Sequence, residues 1–183
     1  MKEGAGRLFV IVSGIPASGK STLGRQLAAE LRLSFHDKDD ILEQLFEGEG
    51  TGDAAWRQRL SRRSDEELRR RVRSAAGAVV VSFWRTARTR PGSGTPVEWL
   101  RELPGRVCEV RCRCDPAIAA TRFAGRRRHA GHLDGQKPAV DAVEFGHLAS
   151  AGPLGVGEMM VVDTTAPCDL GSIVAEFRAT FDG

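Results

Sequence analysis

Short apolar runs alternate with segments of helical spacing along most of this chain. Arg7 to Ser13 is apolar and β-branched and stops at Gly14, which predicts a buried parallel strand. Residues 20–32 place Leu23, Leu27, Ala28 and Leu31 at helical spacing. Leu33 to His36 predicts a second strand ending at Asp37, and Ile41 to Phe46 a short helix. A turn with Gly48, Gly50 and Gly52 follows. Residues 54–76 are charged and helical, and Asp65-Glu66-Glu67 suggests a fresh first turn, so two helices broken near Ser64 are expected. Ala78 to Phe83 is the clearest buried strand, and polar residues 85–96 read as an exposed loop. Val107 to Cys112 predicts another strand. Asp115-Pro116 opens a helix expected to reach about Arg128. Residues 129–157 hold six Gly, two Pro and three His and are expected to be mobile. Met159 to Asp163 and Leu170 to Phe181 complete the pattern as strand and helix.

Strands alternating with helices imply right-handed crossovers and a parallel sheet covered on both faces. A ligand would then bind beyond the carboxyl ends of the strands. The chemistry-bearing residues lie at that position. Gly14-Ile15-Pro16-Ala17-Ser18-Gly19-Lys20-Ser21 matches G-x4-G-K-[ST] between a strand and a helix. Glycines there let backbone N–H groups turn inward around phosphates, and the helix N-terminus adds its positive end. The nucleotide contacts expected are Gly14, Ala17, Ser18, Gly19, Lys20, Ser21 and Thr22, with Lys20 exposed at the loop and reaching the β- and γ-phosphates. Ser21 is expected to bind Mg²⁺.

A carboxylate ending the next strand would face the same crevice. Phosphoryl transfer needs a group to orient a hydroxyl and accept its proton. In an extended chain Asp37 and Asp39 point one way and Lys38 and Asp40 the other. Asp37 is therefore expected near Ser21 and the metal, Asp39 at the acceptor, and Asp40 as the cap of the following helix.

From Gly14 to Phe46 the chain resembles the shikimate-kinase and gluconate-kinase group of small P-loop kinases. The resemblance rests on Gly14…Gly19-Lys20-Ser21-Thr22 with Gly24, Leu27 and Ala28, then Phe35-His36-Asp37-Lys38-Asp39. Asp39-Asp40 also resembles the acidic pair of polynucleotide 5′-kinases. The resemblance implies that the residue at position 39 sits by the acceptor hydroxyl. Arg122, Arg126 and His129 have the R-x3-R-x2-H spacing of the gluconate-kinase lid, which implies Arg122 as a catalytic cation and Arg126 as a phosphate contact. If the helix continued, Arg122 and Arg126 would share a face; which of Arg126, Arg127 and Arg128 meets phosphate stays open. The chain departs from that group after the third strand, where Ser82-Phe83-Trp84-Arg85 carries no Asp. Trp84 and Arg85 are expected to face the acceptor, or Trp84 to pack in the core. His129 and His132 carry no assigned role.

Composition narrows the picture modestly. The 183 residues are 41% hydrophobic and suit one domain, with a lid over about 123–150 and residues 54–76 covering the acceptor. The net charge of +3 does not call for a nucleic-acid partner, and only four of the 27 basic residues are Lys, a bias that discounts the Arg clusters. Cys108, Cys112 and Cys114 fall on one strand face and read as buried thiols rather than metal ligands. No apolar run is long enough to span a membrane, and Met1 to Arg7 does not resemble a signal peptide, so a cytoplasmic location is expected.

The expected fold is a three-layer α/β/α P-loop kinase with a five-stranded parallel sheet of order 2-3-1-4-5. The expected activity is transfer of the γ-phosphoryl group of ATP, with Mg²⁺, to a hydroxyl of a small metabolite, sugar or natural product such as an antibiotic. The alternatives are a polynucleotide 5′-hydroxyl kinase, favoured by the arginines from Arg57 to Arg73, and a nucleotide-binding switch, for which Asp37 and Asp39 would be superfluous. The acceptor and the oligomeric state stay open.

Overall fold

The computed structural model describes residues 6–134 and 141–181. Among them five strands form one parallel sheet in the expected order, β2-β3-β1-β4-β5. These are β1 Leu8–Ser13, β2 Ser34–Asp37, β3 Ala78–Val81, β4 Arg106–Arg113 and β5 Glu158–Asp163. The helices are α1 Lys20–Leu31, α2 Lys38–Glu49, α3 Ala54–Ser74, α4 Pro116–Gly125, α5 Ala142–Ala149 and α6 Leu170–Phe181. Each strand after β1 pairs parallel, with Val10 opposite both Val79 of β3 and Cys108 of β4.

The central strand shows why two helical layers are needed. Val10 and Val12 point into a core with α1 and α6, through Leu23, Leu27, Val174 and Phe177. Phe9 and Ile11 point the other way, into a core with Leu68 and Val72 of α3 and Trp99 and Leu100 of the 3-10 turn Glu98–Glu102. All four strand residues are fully buried. Burying such a side chain is worth about 1.5–3 kcal/mol relative to exposing it, so neither face can be left open. Cys108 and Cys112 lie in the α1/α6 core, whereas Cys114, past the strand end, packs with Ile15, Ala119 and Phe145.

Several boundaries differ from the expectation. Residues 54–74 are a single helix. Ser64 does not break it, because its buried side chain hydrogen-bonds back to Ser61 O at 2.8 Å. The helix starts at the Asp53 cap, whose side chain accepts the Trp56 N–H, so Asp65-Glu66-Glu67 is interior. Asp65 instead turns inward, 2.7 Å from Lys38 Nζ, and accepts from Thr95 Oγ1, which in turn meets Ser82 Oγ at 2.6 Å. That chain ties α2, α3, the end of β3 and the 85–95 loop together. The segment 129–157 includes a 3-10 turn at Ala130–His132 and α5 among its described residues. No helix of the described residues is long and apolar enough to cross a membrane.

A continuous α3 makes a clear demand. Ser64→Pro should cost about 3 kcal/mol or more, because it removes an interior hydrogen bond and clashes with the preceding turn. Urea unfolding checks this; a loss below about 0.5 kcal/mol, the size of an ordinary surface change, would mean that the helix is interrupted there.

Candidate active site

β1 ends where the chain must reverse around a phosphate-sized hollow. Gly14 has φ 139°, and a Cβ there would come within 2.6 Å of Cys112 O and 2.7 Å of Ser18 Oγ. Only glycine fits. Ala17 (φ 57°) and Gly19 (φ 90°) continue the left-handed turns that aim N–H groups inward. Lys20 is buried rather than exposed: its Nζ donates to Ile15 O at 2.7 Å and so closes the loop on itself. Burial pulls its pKa below the usual lysine range, against the nearby charges of Asp37 and Asp39. Ser18 is also buried, and its Oγ has no hydrogen-bond partner. A hollow with inward N–H groups, a sequestered amine and an orphan hydroxyl fits an anionic phosphate chain.

The acidic cluster is sorted by helix geometry, not strand alternation, because α2 begins at Lys38 immediately after β2. Asp37 itself is the cap: its Oδ1 accepts the Asp39 N–H at 2.9 Å, while its Oδ2 accepts from Ser21 Oγ at 2.6 Å. The expected cap, Asp40, instead pairs across to Arg25 of α1 at 2.6 Å. Asp39, in the first turn of α2, is ion-paired with Arg128. Asp37 and Asp39 both line one cavity of about 880 Å³ together with Lys20, Ser21 and Thr22. Burial is the main cause that raises the Asp37 pKa to about 6, with the Ser21 hydrogen bond opposing it. Ser21 Oγ and the Asp37 carboxylate fit a hard cation such as Mg²⁺, which takes one or two protein oxygens and otherwise phosphate and water.

The arginines are arranged differently from the expectation. α4 stops at Gly125, and Arg126 is extended (φ −77°, ψ 142°), so Arg122 and Arg126 do not share a helix face. Arg122 lines the cavity, but its guanidinium donates to Thr164 O at 2.9 Å and Thr165 O at 2.7 Å. It therefore fixes the loop after β5. Arg126 stacks on the Phe123 ring at 3.9 Å, and its Nε is buried without a partner. Burial, then the charge of Arg128, pushes its pKa down to about 10, and it remains a cation at neutral pH.

Trp84 and Arg85 do not face the acceptor. Trp84 is buried, its Nε1 donating to Val12 O at 2.9 Å, and packs near Trp99; Arg85 is spent on Ser93 O and Gly94 O within its own loop. The cavity wall is instead completed by Arg57 of α3, Ser82, Phe83, Arg90 and Glu144, the last two ion-paired at 2.6 Å. Arg57 Nε is buried without a partner, and burial followed by Arg128 lowers its pKa. No motif marked these residues. The helical reading of residues 54–76 did not say which face of that helix looks inward.

Comparison with known proteins agrees with this geometry. A family model described as an AAA domain matches residues 9–143. A shikimate kinase of Paracidovorax citrulli is 32% identical over 99 residues, covering 49% of this chain and 50% of that protein. The chain thus spans about half the length of the curated relatives it matches. A candidate kinase of Chloroflexus aurantiacus has a crystal structure with TM-score 0.76 and 26% identity, over 94% of this chain and 97% of that one. A gluconokinase of Sinorhizobium meliloti gives TM-score 0.54 at 22% identity, over 93% and 89%, and at that identity shows the fold alone. The family match runs from the first strand through the arginine segment to the start of α5, and the chain belongs to the AAA domain family.

Proposed function

We propose that this protein transfers the γ-phosphoryl group of ATP to a hydroxyl of a small molecule. One observation carries the reading: the phosphate loop and the Asp37–Asp39 carboxylates open into one cavity of about 880 Å³. A nucleotide switch has no use for a second carboxylate beyond the metal site, and an acceptor does. Lys20, Arg126 and the loop N–H groups would hold the phosphates, while Ser21 and Asp37 would hold Mg²⁺. When bound, Mg²⁺ draws off charge developing on the phosphoryl oxygens. Asp39, its orientation held by Arg128, would accept the hydrogen bond of the attacking hydroxyl and take its proton. The apolar side of the cavity, formed by Phe83, Phe123 and Phe145, would limit water as a competing acceptor.

The small-molecule acceptor is favoured over a nucleic-acid end. On α3, Arg63 pairs with Glu49, Arg70 and Arg71 with Glu67, and Arg73 with Glu102, so much of its positive charge is balanced locally. The shikimate kinase name of the sequence relatives supports the same class. We also propose that residues 1–183 act as one domain, with the cavity closed by the segment after α4.

The direct test is coupled ADP release over sugars, nucleosides, hydroxy acids and aminoglycoside-like alcohols, with a 5′-hydroxyl oligonucleotide included. Asp39→Asn should lower turnover by about 10²–10⁴, the usual worth of a positioned acid–base group. Asp40→Asn should change stability by no more than about 0.5 kcal/mol, because its pair with Arg25 is half exposed. Near-normal turnover in Asp39→Asn would remove the acceptor assignment.

Lys20→Ala should lower turnover at least about a hundredfold, the scale of losing one charge-stabilising donor. Isothermal titration with ADP should show weakened binding in the same variant. Full activity without Lys20 would end the kinase reading.

Asp37 gives a pH signature in the metal-free protein. Its folded pKa, about 6, lies above the ordinary value of 3.8. The protonated carboxyl is therefore the form that burial favours. Its contribution to stability is full below about pH 4 and is lost as pH rises through about 6. Asp37→Asn keeps the helix cap but should flatten the stability profile between those limits, as read by denaturant midpoints at each pH. An unchanged slope would contradict the burial argument.

A further inference from the structure

The turn Ala130–His132 carries a side chain that the proposed transfer leaves unused. His132 is fully buried, although it lies four residues beyond Arg128 in a largely polar stretch. Its Nε2 lies 2.8 Å from Glu43 Oε1, and its ring meets the Phe46 ring edge-on at 5.2 Å. The turn rests close on that ring: a Cβ at Gly131 would come within 2.6 Å of it. His129 stacks on Phe46 as well, at 5.3 Å, and its Nδ1 accepts the Gly131 N–H at 3.0 Å. Phe46 is held from behind by Trp56 of α3, stacked at 5.3 Å.

Asp39, Glu43 and Phe46 are four and three residues apart on α2, so they share one helix face. The incoming segment meets that face with Arg128 on Asp39, His132 on Glu43, and His129 and Gly131 on Phe46. The Arg128–Asp39 pair is thus one rung of a ladder whose buried rung is His132–Glu43. The imidazole is neutral there. Burial, then the charge of Arg128, holds it below the ordinary histidine range, against Asp39 and Glu43. A neutral ring that donates from Nε2 to the Glu43 carboxylate leaves Nδ1 bare, in keeping with its lack of any partner.

We infer that His132 is a positioning residue, which pins the segment after α4 to α2 and so holds Arg128 on Asp39. Its effect on turnover rests on the kinase reading above; its effect on docking does not. Without the buried rung, the segment would keep only the ion pairs of Arg128 to Asp39 and Asp134 and the ring contacts of His129 and Gly131 on Phe46, and Asp39 would be held less firmly. Glutamine can place an amide N–H near the Nε2 position, so His132→Gln should keep the Glu43 bond, whereas His132→Ala cannot.

Hydrogen exchange of residues 128–134 in the full chain tests the docking. His132→Ala should speed their exchange about tenfold, the order expected when a buried hydrogen bond to a charged group is lost, and His132→Gln should restore most of the protection. Asp39→Ala should also speed exchange, and Asp39→Ala with His132→Ala should exceed the larger single effect only slightly, since both act on one ladder. In ADP-release assays His132→Ala should lower kcat while ADP affinity stays within about twofold, because a positioning role acts on the transfer step rather than on nucleotide binding. Unchanged exchange in His132→Ala, or fully additive effects with Asp39→Ala, would overturn the inference. Wild-type protein that releases no ADP with any acceptor would defeat the kinase reading, while the exchange result would still decide the docking.

Discussion

The site depends on how closely β1 runs against β4 as the chain leaves the sheet. At Gly14 even a methyl group would collide with the Cys112 carbonyl and with Ser18 Oγ. That approach lets the loop fold under itself, with Lys20 Nζ on Ile15 O and α1 starting at Lys20. From there the position of Ser21 follows, and with it the 2.6 Å contact to Asp37 at the end of β2. Two residues from elements that are not sheet neighbours of each other are thus brought together by one backbone constraint. Gly24 repeats the device one turn along α1: a Cβ there would press on Val81 at 2.7 Å, so its absence seats the helix on the sheet that carries Asp37.

The cavity concentrates charge that folding alone would avoid. Lys20, Arg57, Arg126 and Arg128 converge on Asp37, Asp39 and Asp134, with burial lowering the pKa of Lys20, Arg57 and Arg126 and raising that of Asp37. Arg57 and Arg126 each leave a buried Nε without a partner. Such orphan donors cost about 1–3 kcal/mol each in a structural setting. On the proposed reading these donors are held ready for a phosphate or an anionic acceptor, and their cost is carried by the two large cores on either side of the sheet.

The start of α2 is braced by a second polar chain. Lys38, Asp65, Thr95 and Ser82 link α2, α3, the 85–95 loop and the end of β3. Lys38 lies next to Asp39 in sequence, so this chain fixes the first turn of α2, where Arg128 holds Asp39, while His132 holds Glu43 one turn further on. Asp39 is therefore held before any substrate arrives, which is the pre-organisation that the proposed transfer needs.

What the sequence determined by itself was local or periodic. The phosphate loop was legible because one contiguous octapeptide holds its whole geometry, and the strands because β-branched runs buried on both faces have few other readings. Alternation and crossover handedness gave a parallel sheet covered on both faces, and its order followed from the resemblance to small P-loop kinases. The sequence did not reveal which acidic residue caps α2, because that depends on whether Lys38 is extended or helical. Tertiary structure settled it by starting the helix straight after β2, so Asp37 became the cap and Asp40 turned to Arg25. Nor could Arg57, Arg128 and His132 be told from an ordinary basic surface. Arg128 meets Asp39, and His132 meets Glu43, across 89 residues of chain. A charged or aromatic side chain takes its role from the groups that surround it in space, and only the packing of α3 and the 128–134 segment against α2 brought those groups together.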